Sequence, residues 1–537
     1  MAGGTVMLKI LGSAQFDGKK IAVVGIGVSG RAVVKALNEH TRALISAWDQ
    51  NARALEEVAQ SVPDSRRFHC AEEKDLADAL LSYRPDIAVI APGFRERGAV
   101  WETLRRAGIP IWSEIELAWH LRPTDPQGNS AKWLCVTGTN GKTTTVSMLA
   151  SIVKAAGLGH DAVGNIGSPA ITEITRLDDA ARVIVLELSS FQLAAVHSVS
   201  PASAAVLNFA DDHLEWHYGR ESYWKAKANI YNRVQCACVY PADDPQVRKM
   251  VDAAQVREGA RAVGITPGIP QIGQIGMVRD PYTGDNVAVD RAFGKERFFS
   301  HKAVPELFTA ADLAHLIPGG SGEGTLPVHL LKDALTAAAL ARSVGISAEH
   351  IRLGLRAYKP GAHRIELISR AGNINWIDDS KATNAHAALA SLRMQKRHST
   401  VWIVGGQAKG VDFSDLVSEA ADRVGAVVVI GTDQRPWKKA LAQLDVPTVY
   451  TDGDVLDPMP DAVESAARLA EKIRTEGTLP SVLLAPACAS MDQFRSYAHR
   501  GDKFRRAVEN YFARSAPNPL SGADRKRREN DGQAAEK

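Results

Sequence analysis

Between Val136 and Thr145 the chain reads Val-Thr-Gly-Thr-Asn-Gly-Lys-Thr-Thr-Thr, a stretch whose residue types suit the handling of phosphate. An apolar run from Trp133 to Val136 predicts a strand leading in. Val146, Met148, Leu149, Ile152 and Val153 predict a helix leading out, which stops at Gly157. Gly138 and Gly141 let the backbone around Thr139 and Asn140 fold its N–H groups about an anion, and the helix N-terminus adds roughly +0.5 charge. Lys142 can reach the terminal phosphates of a nucleotide. The Thr143 hydroxyl can ligate the magnesium they carry, and Thr144 lies in the same helical turn. The loop is short for a P-loop, with only Thr139 and Asn140 before the Gly-Lys pair, so an ordinary turn before a helix is the competing reading. Lysine followed by Thr143, Thr144 and Thr145 at a helix start favours ATP.

Further residues with chemical potential stand at other strand ends. Gly164-Asn165-Ile166-Gly167 is a turn able to present an amide. Val183 to Leu186 is apolar and delivers Glu187 to the end of a buried strand, a position resembling the acid that holds magnesium in P-loop enzymes. The alternative is a carboxylate capping the next turn. The pattern repeats from Ala204 to Leu207, followed by Asn208 and then Asp211-Asp212-His213. A histidine there is either a metal ligand or a hydrogen-bonded structural residue. Tyr223 to Tyr231 has helical spacing, and by composition alone its Lys227 reads as part of a solvated face.

The elements that must carry these groups fall into three α/β segments. In residues 1–118, Lys20 to Val24 meets Gly25-Ile26-Gly27-Val28-Ser29-Gly30, a helical pattern follows, and a second strand closes on Asp49. This glycine fingerprint with an acid about 20 residues on suits a pyrophosphate and ribose, and predicts a Rossmann-like domain. A dehydrogenase would carry the same signal. A further strand ends at Pro92-Gly93. Residues 119–360 form the central P-loop-type ATP-binding domain, in which 266–326, rich in glycine and proline, reads as a loop-rich, hairpin-bearing insertion with no assigned chemistry. Residues 361–514 predict a third, Rossmann-like unit. Three of its strand ends gather polar residues: Asp378 to Asn384, Gly405 to Gly410 and Pro486 to Asp492. In an open parallel sheet such loops share one edge, where lysines and hydroxyls suit a carboxylate-bearing substrate. Residues 515–537, polar and nearly free of large apolar side chains, read as a disordered tail.

The chain has 537 residues, too many for one core; 45% are hydrophobic and 23% charged, as in ordinary globular proteins. A net charge of +3 over this length gives no electrostatic footprint for nucleic acid. No apolar run approaches the ~18–20 residues that span a bilayer, and no signal-peptide pattern opens the chain. The scattered cysteines, Cys70, Cys135, Cys236, Cys238 and Cys488, argue against a disulfide framework. A cytoplasmic, monomeric enzyme acting on small molecules is expected.

Taken together, the phosphate loop, Glu187, His213, Lys227, His363-Arg364, Asp379-Ser380-Lys381-Ala382-Thr383-Asn384 and Lys409 appear in an order that resembles the Mur ligase family. The resemblance covers nearly the whole chain except the 266–326 insertion and the tail. Within the family, Leu186 to Leu193 and Pro486 to Ser490 resemble the member that adds D-glutamate.

That resemblance implies an ATP-dependent amide ligase of peptidoglycan synthesis, joining D-glutamate to UDP-N-acetylmuramoyl-L-alanine through an acyl phosphate. It implies that Lys142 stabilises the transferring phosphoryl group and that Thr143 and Glu187 hold one Mg2+. His213 and a carbamylated Lys227 would hold a second Mg2+. Asn165 would sit near the γ-phosphate, Arg364 on ATP phosphate and Asp379 on the ribose. Val28, Ser29, Asp49 and Gly93 would hold the UDP moiety. Ser189 is assigned to the substrate site, and Lys381, Thr383, Lys409, Ser490, Met491 and Tyr497 to the D-glutamate side. The chain departs from the family at Leu330 and Asp333, where asparagines that contact adenine are usual, and at Gln50 and Asn51 after Asp49. It departs again at Tyr497, where a ring without a hydroxyl is common. Competing readings are a ligase adding another amino acid, a folylpolyglutamate synthase, which lacks the first domain, and a non-catalytic nucleotide-binding regulator.

Overall fold

The computed structural model describes residues 9–159, 161–179, 182–293, 305–317, 326–408, 410–476 and 478–515. The chain divides into two compact units, residues 1–359 and 360–537. Among the described residues, no helix is long and apolar enough to cross a membrane.

The first unit contains two sheets. In the first, Lys20–Val24 lies between Leu44–Asp49 and Ile87–Ile90, with Arg67–His69 and Ile111–Trp112 at the edges, and every pairing is parallel. Four of the five residues in Lys20–Val24 are buried, as expected for a strand covered on both faces. The helix Val28–His40 follows at once. A side chain at Gly30 would come within 2.0 Å of the Gly25 carbonyl, so the close helix–strand turn requires glycine there.

The second sheet has Lys132–Thr137 beside Val183–Glu187 on one side and Ser203–Val206 on the other, all parallel. Helix Lys142–Ala155 starts from Gly141 and buries Val146, Met148, Leu149, Ile152 and Val153, the stripe predicted from the sequence. One apolar cluster includes Ile21 and Val23 of the first sheet together with Trp133, Cys135, Ile184 and Leu186 of the second.

The segment 266–326 bears the expected hairpin, Gln274–Arg279 against Asn286–Asp290, but its described residues hold more strand than a loop-rich insertion would. Its described residues contribute strands Gln274–Arg279, Asn286–Asp290 and Glu306–Thr309, which extend the second sheet. Gln274–Arg279 pairs parallel to Arg261–Thr266, and the next two pairings are antiparallel. Asp290, fully buried, accepts from Arg342 Nε at 3.1 Å, and Asp312 pairs with Arg356 at 2.5 Å. Both arginines belong to the helices Val328–Ser343 and Ala348–Ala357. Among the described residues the glycines and prolines lie mainly in the turns, and the strands carry runs of two to four consecutive buried residues in place of the alternation that marks a half-buried strand. Residues 294–304 and 318–325 lie outside the described residues.

The second unit has one sheet, in the order Glu366–Ser369, Asn375–Asp378, Ser481–Leu484, Thr400–Gly405, Val424–Ile430 and Thr448–Tyr450, with only the first strand antiparallel. Helix Tyr497–Ser515 includes Ser515, the first residue assigned to the tail; 516–537 lie outside the described residues.

Candidate active site

Gly141 has φ of 81°, and its missing side chain matters: a Cβ there would stand 2.7 Å from Asp333 Oδ1. Asp333 also accepts from the Thr145 hydroxyl at 2.9 Å, so the acid found in place of an asparagine is lodged against the phosphate loop itself. Asn208 clamps the loop from the neighbouring strand. Its Oδ1 accepts from the backbone N–H of Thr139 at 3.1 Å and of Asn140 at 2.9 Å, and its amide donates to the Asn140 carbonyl at 3.1 Å. The Lys142 amine donates to the carbonyls of Gly138 and Thr139 at 2.8 and 3.0 Å. Thr144 is buried in the first turn.

Glu187 ends its strand with 2% exposure. The Thr143 hydroxyl donates to one carboxylate oxygen at 2.7 Å and the Asn165 amide to the other at 2.9 Å. Three residues singled out in separate sequence segments therefore meet through one carboxylate. The turn-capping alternative for Glu187 is not what its side chain does, since Ser189 and Gln192 form the capping box of Ser190–Leu193 between themselves.

Lys227 corrects the reading of a solvated helix face. It is 2% exposed, and its amine donates to the Gly138 carbonyl at 2.8 Å, lying 4.7 Å from the Tyr223 ring centre. Burial, with the charge of Lys142 in second place, pushes its pKa well below the ordinary lysine value, while Asp212 opposes the shift. Helical spacing could not show that this face turns toward the phosphate loop. His213 has left-handed backbone, with φ of 52°, and its ring packs edge-on against Phe191 at 4.9 Å. Its Nε2 lies 3.5 Å from an Asp212 carboxylate oxygen.

Val28, Ser29, Asp49 and Gly93 line one cavity at the end of the first sheet, together with Gln50. Asp49 accepts from the Ile26 N–H at 2.5 Å and from the Asn51 N–H at 2.7 Å, so it also holds the glycine turn. Between the two sheets, the fully buried His217 contacts the Ser190 hydroxyl at 2.9 Å and lies 3.3 Å from Glu96, while Trp216 donates to the Pro92 carbonyl at 3.0 Å. Neither His217 nor Trp216 was a sequence candidate; the cue was the pair Trp216-His217, three and four residues after His213. Glu114, also missed, accepts from the Ile171 N–H at 2.7 Å, and burial raises its pKa to about 7 against those hydrogen bonds.

In the second unit the three polar loops are joined through their backbones. Ala487 N–H donates to Ala382 at 2.9 Å, Gly405 N–H to Pro486 at 3.0 Å, and Gln407 N–H to Ala489 at 2.9 Å. Lys381 places its amine 3.9 Å from the Tyr497 ring centre. Thr383 turns back so that its N–H reaches the Lys381 carbonyl at 2.8 Å; Ser490 is buried, whereas Met491 is 66% exposed. Lys409 lies outside the described residues. Asp379 is buried, hydrogen-bonded by the Ser391 hydroxyl and, at 3.3 Å, by the Ile365 N–H; burial raises its pKa to about 7 against the Ser391 bond and the charge of Arg364. Arg364 stands between His363 and Ile365, both left-handed at φ of 62° and 48°. For β-branched Ile365 that conformation costs about 1–3 kcal/mol. Among the described residues, the one group of three or more His, Cys, Asp or Glu ligand atoms within 4.8 Å is His363, Glu366 and Asp378. These bond to one another, with His363 Nδ1 2.7 Å from Asp378, and Glu366 is paired with Arg505 at 2.7 Å, so the group reads as a structural network.

Comparison with known proteins follows this division. The profile of the Mur ligase middle domain matches residues 136–268, and that of the Mur ligase glutamate ligase domain matches residues 363–488. A Streptomyces coelicolor protein named UDP-N-acetylmuramoylalanine–D-glutamate ligase is 41% identical over 498 residues, covering 92% of this chain and 98% of its own length. A Leifsonia xyli protein of the same name is 38% identical over 526 residues, covering 95% and 96%. Among solved structures, the Thermotoga maritima UDP-N-acetylmuramate–alanine ligase MurC aligns over 92% of this chain and 99% of its own, with TM-score 0.51 and 18% identity, a likeness of fold.

Proposed function

The chain belongs to the Mur ligase family, and from that premise we propose that it joins D-glutamate to UDP-N-acetylmuramoyl-L-alanine at the expense of ATP, the reaction for which its relatives are named. The observation that carries this reading is the meeting of Lys142, Thr143, Asn165, Glu187 and a buried Lys227 around one phosphate loop.

A carboxylate is a poor electrophile, and the alanyl carboxylate becomes reactive when its oxygen takes the γ-phosphoryl group of ATP, releasing ADP. The amine of D-glutamate then attacks the acyl carbon, loses a proton and expels phosphate, leaving an amide. Lys142 and the loop N–H groups bind and orient the phosphates, and the amine of Lys142 answers charge building on the transferring group. Thr143 and Glu187, oxygen donors 2.7 Å apart, fit magnesium, whose charge would offset that of the phosphate oxygens. His213 and Lys227 are assigned to a second Mg2+. Burial lowers the pKa of the Lys227 amine, and in its neutral form such an amine can add carbon dioxide and release a proton, becoming the oxygen ligand that a lysine otherwise lacks. The cavity lined by Val28, Ser29, Asp49 and Gly93 is assigned to the UDP moiety, and the joined loops of the second unit to D-glutamate.

Phosphate release with ATP, magnesium and UDP-N-acetylmuramoyl-L-alanine tests the reading, with D-glutamate set against L-glutamate, glycine and L-lysine. Turnover with D-glutamate alone is expected. Turnover with a different amino acid would move the specificity, and none with any would favour a nucleotide-binding regulator.

A further inference from the structure

Helix Tyr497–Ser515 buries Phe504, Ala507 and Val508, and the stripe they form begins four residues earlier on an arginine. Arg500 is 0% exposed and ranks among the largest fully buried side chains of the chain. Its Nε donates to the Ser380 hydroxyl at 3.0 Å, its Nη2 to the Ser380 carbonyl at 2.9 Å, and its Nη1 to the Cys488 carbonyl at 3.1 Å. All three acceptors are neutral. Among the described residues no carboxylate lies within ion-pair distance of it; Asp492 and Asp378 act only from farther away. Burial lowers its pKa to about 10, which still leaves it charged at neutral pH. A buried cation without a carboxylate partner is costly, and removing water from it gains nothing in return unless something else supplies the negative charge.

The position of this charge shows what it serves. Ser380 precedes Lys381 in the first polar loop, and Cys488 lies two residues before Ser490 in the third. A side chain at Gly406, in the second loop, would come 3.3 Å from Nη1 and 2.4 Å from the Ala489 carbonyl. One guanidinium thus lies against all three loops. The Ser380 hydroxyl that accepts from Arg500 also donates to the Tyr497 carbonyl at 2.7 Å, and the ring of Tyr497 faces the Lys381 amine. A planar fork can hold diverging acceptors in one geometry, which the single point charge of a lysine cannot do.

We propose that Arg500 is the positioning residue of the amino-acid pocket, locking the Lys381, Gly406 and Ser490 loops together while lending them a positive charge that a dianionic amino acid neutralises. The inference deepens the assignment of D-glutamate to these loops and rests on it. It predicts a preference for an acidic side chain over its amide.

The test compares Arg500→Gln, Arg500→Lys and Ser380→Ala in the full chain, reading kcat, the KM of each substrate and the thermal midpoint. For Arg500→Gln, the KM for D-glutamate should rise at least ten-fold, with those for ATP and UDP-N-acetylmuramoyl-L-alanine changing less than two-fold. The preference for D-glutamate over D-glutamine should shrink with it. Arg500→Lys, which keeps the charge and loses the fork, should retain the preference while raising the D-glutamate KM several-fold, and Ser380→Ala should raise that KM alone. An unchanged D-glutamate KM in the folded variants, or a parallel rise in all three constants, would overturn the proposal. If Arg500→Gln does not fold, the other two variants decide by the same criterion. Failure of the unaltered chain to use D-glutamate would instead remove the functional reading, and this inference with it.

Discussion

Lys227 presents its amine to the Gly138 carbonyl from inside the protein, where an ammonium is disfavoured by burial and by the nearby charge of Lys142. The Gly138 carbonyl, the Tyr223 ring and the more distant charge of Asp212 offset only part of the cost of burying that charge, since the net shift of its pKa is still downward. A lysine that must be neutral to become a carbamate is served by both effects. Lys227→Ala is accordingly expected to lower kcat by on the order of 100-fold or more, the upper range for losing a group that supports a metal. A short carboxylic acid such as acetate should restore part of the rate by occupying the space that the proposed carbamate would fill. Near-normal turnover of the variant without additive would sink the carbamate assignment. Lys142 differs only in degree: it remains half-exposed and is held by two carbonyls of its own loop, as suits a cation that must exchange partners when phosphate arrives.

At the scale of elements, Glu114 opens the helix Glu114–His120 and accepts from the N–H of Ile171, in the first turn of Ala170–Ile174, so it ties the first sheet's last helix to the second sheet's surroundings. Burial raises its pKa from 4.5 to about 7. In the unfolded chain the carboxyl loses its proton near 4.5, and in the folded chain only near 7. Stability from the protonated form is therefore fully present below 4.5 and lost as pH rises through 7. The gap corresponds to roughly 3 kcal/mol. Glu114→Gln keeps an acceptor for Ile171 without the charge, so its thermal midpoint relative to the unaltered chain should be higher at pH 8 than at pH 5 by at least a few degrees. Equal differences at both pH values would mean that this carboxyl does not titrate across the folding transition. Such a group is hard to see in a sequence, because Ser-Glu-Ile-Glu at a helix start reads as ordinary capping. The strand-end residues were legible for the opposite reason: a short apolar run fixes where a strand stops, and whatever follows it lies on the sheet's edge. That logic located Glu187 and the three loops of the second unit, while Asn165 reads only as part of a glycine-flanked turn. It could not see which face of a short helix turns inward, and so it missed the burial of Lys227. The same limit hid Arg500, although an arginine in register with Phe504, Ala507 and Val508 was a readable signal.

At the scale of the whole molecule, the first unit's two sheets share an apolar cluster, whereas the second unit's packing is its own. The clusters around Trp376, Val428 and Phe504 and around Trp402, Val427 and Trp437 draw every member from residues 365–512. Among the described residues its sheet likewise uses only strands from Glu366–Ser369 to Ser481–Leu484. A segment of this length buries enough surface to fold alone. Residues 360–515 expressed by themselves are therefore expected to unfold in a single cooperative transition, with a heat-capacity change of about 2 kcal/mol/K. Calorimetry with circular dichroism reads both quantities. The fragment should have no ligase activity, since the phosphate loop, Glu187 and Lys227 all lie before residue 360. A broad or absent transition would show that the second unit needs the first to fold, and that its two clusters do not suffice to hold it.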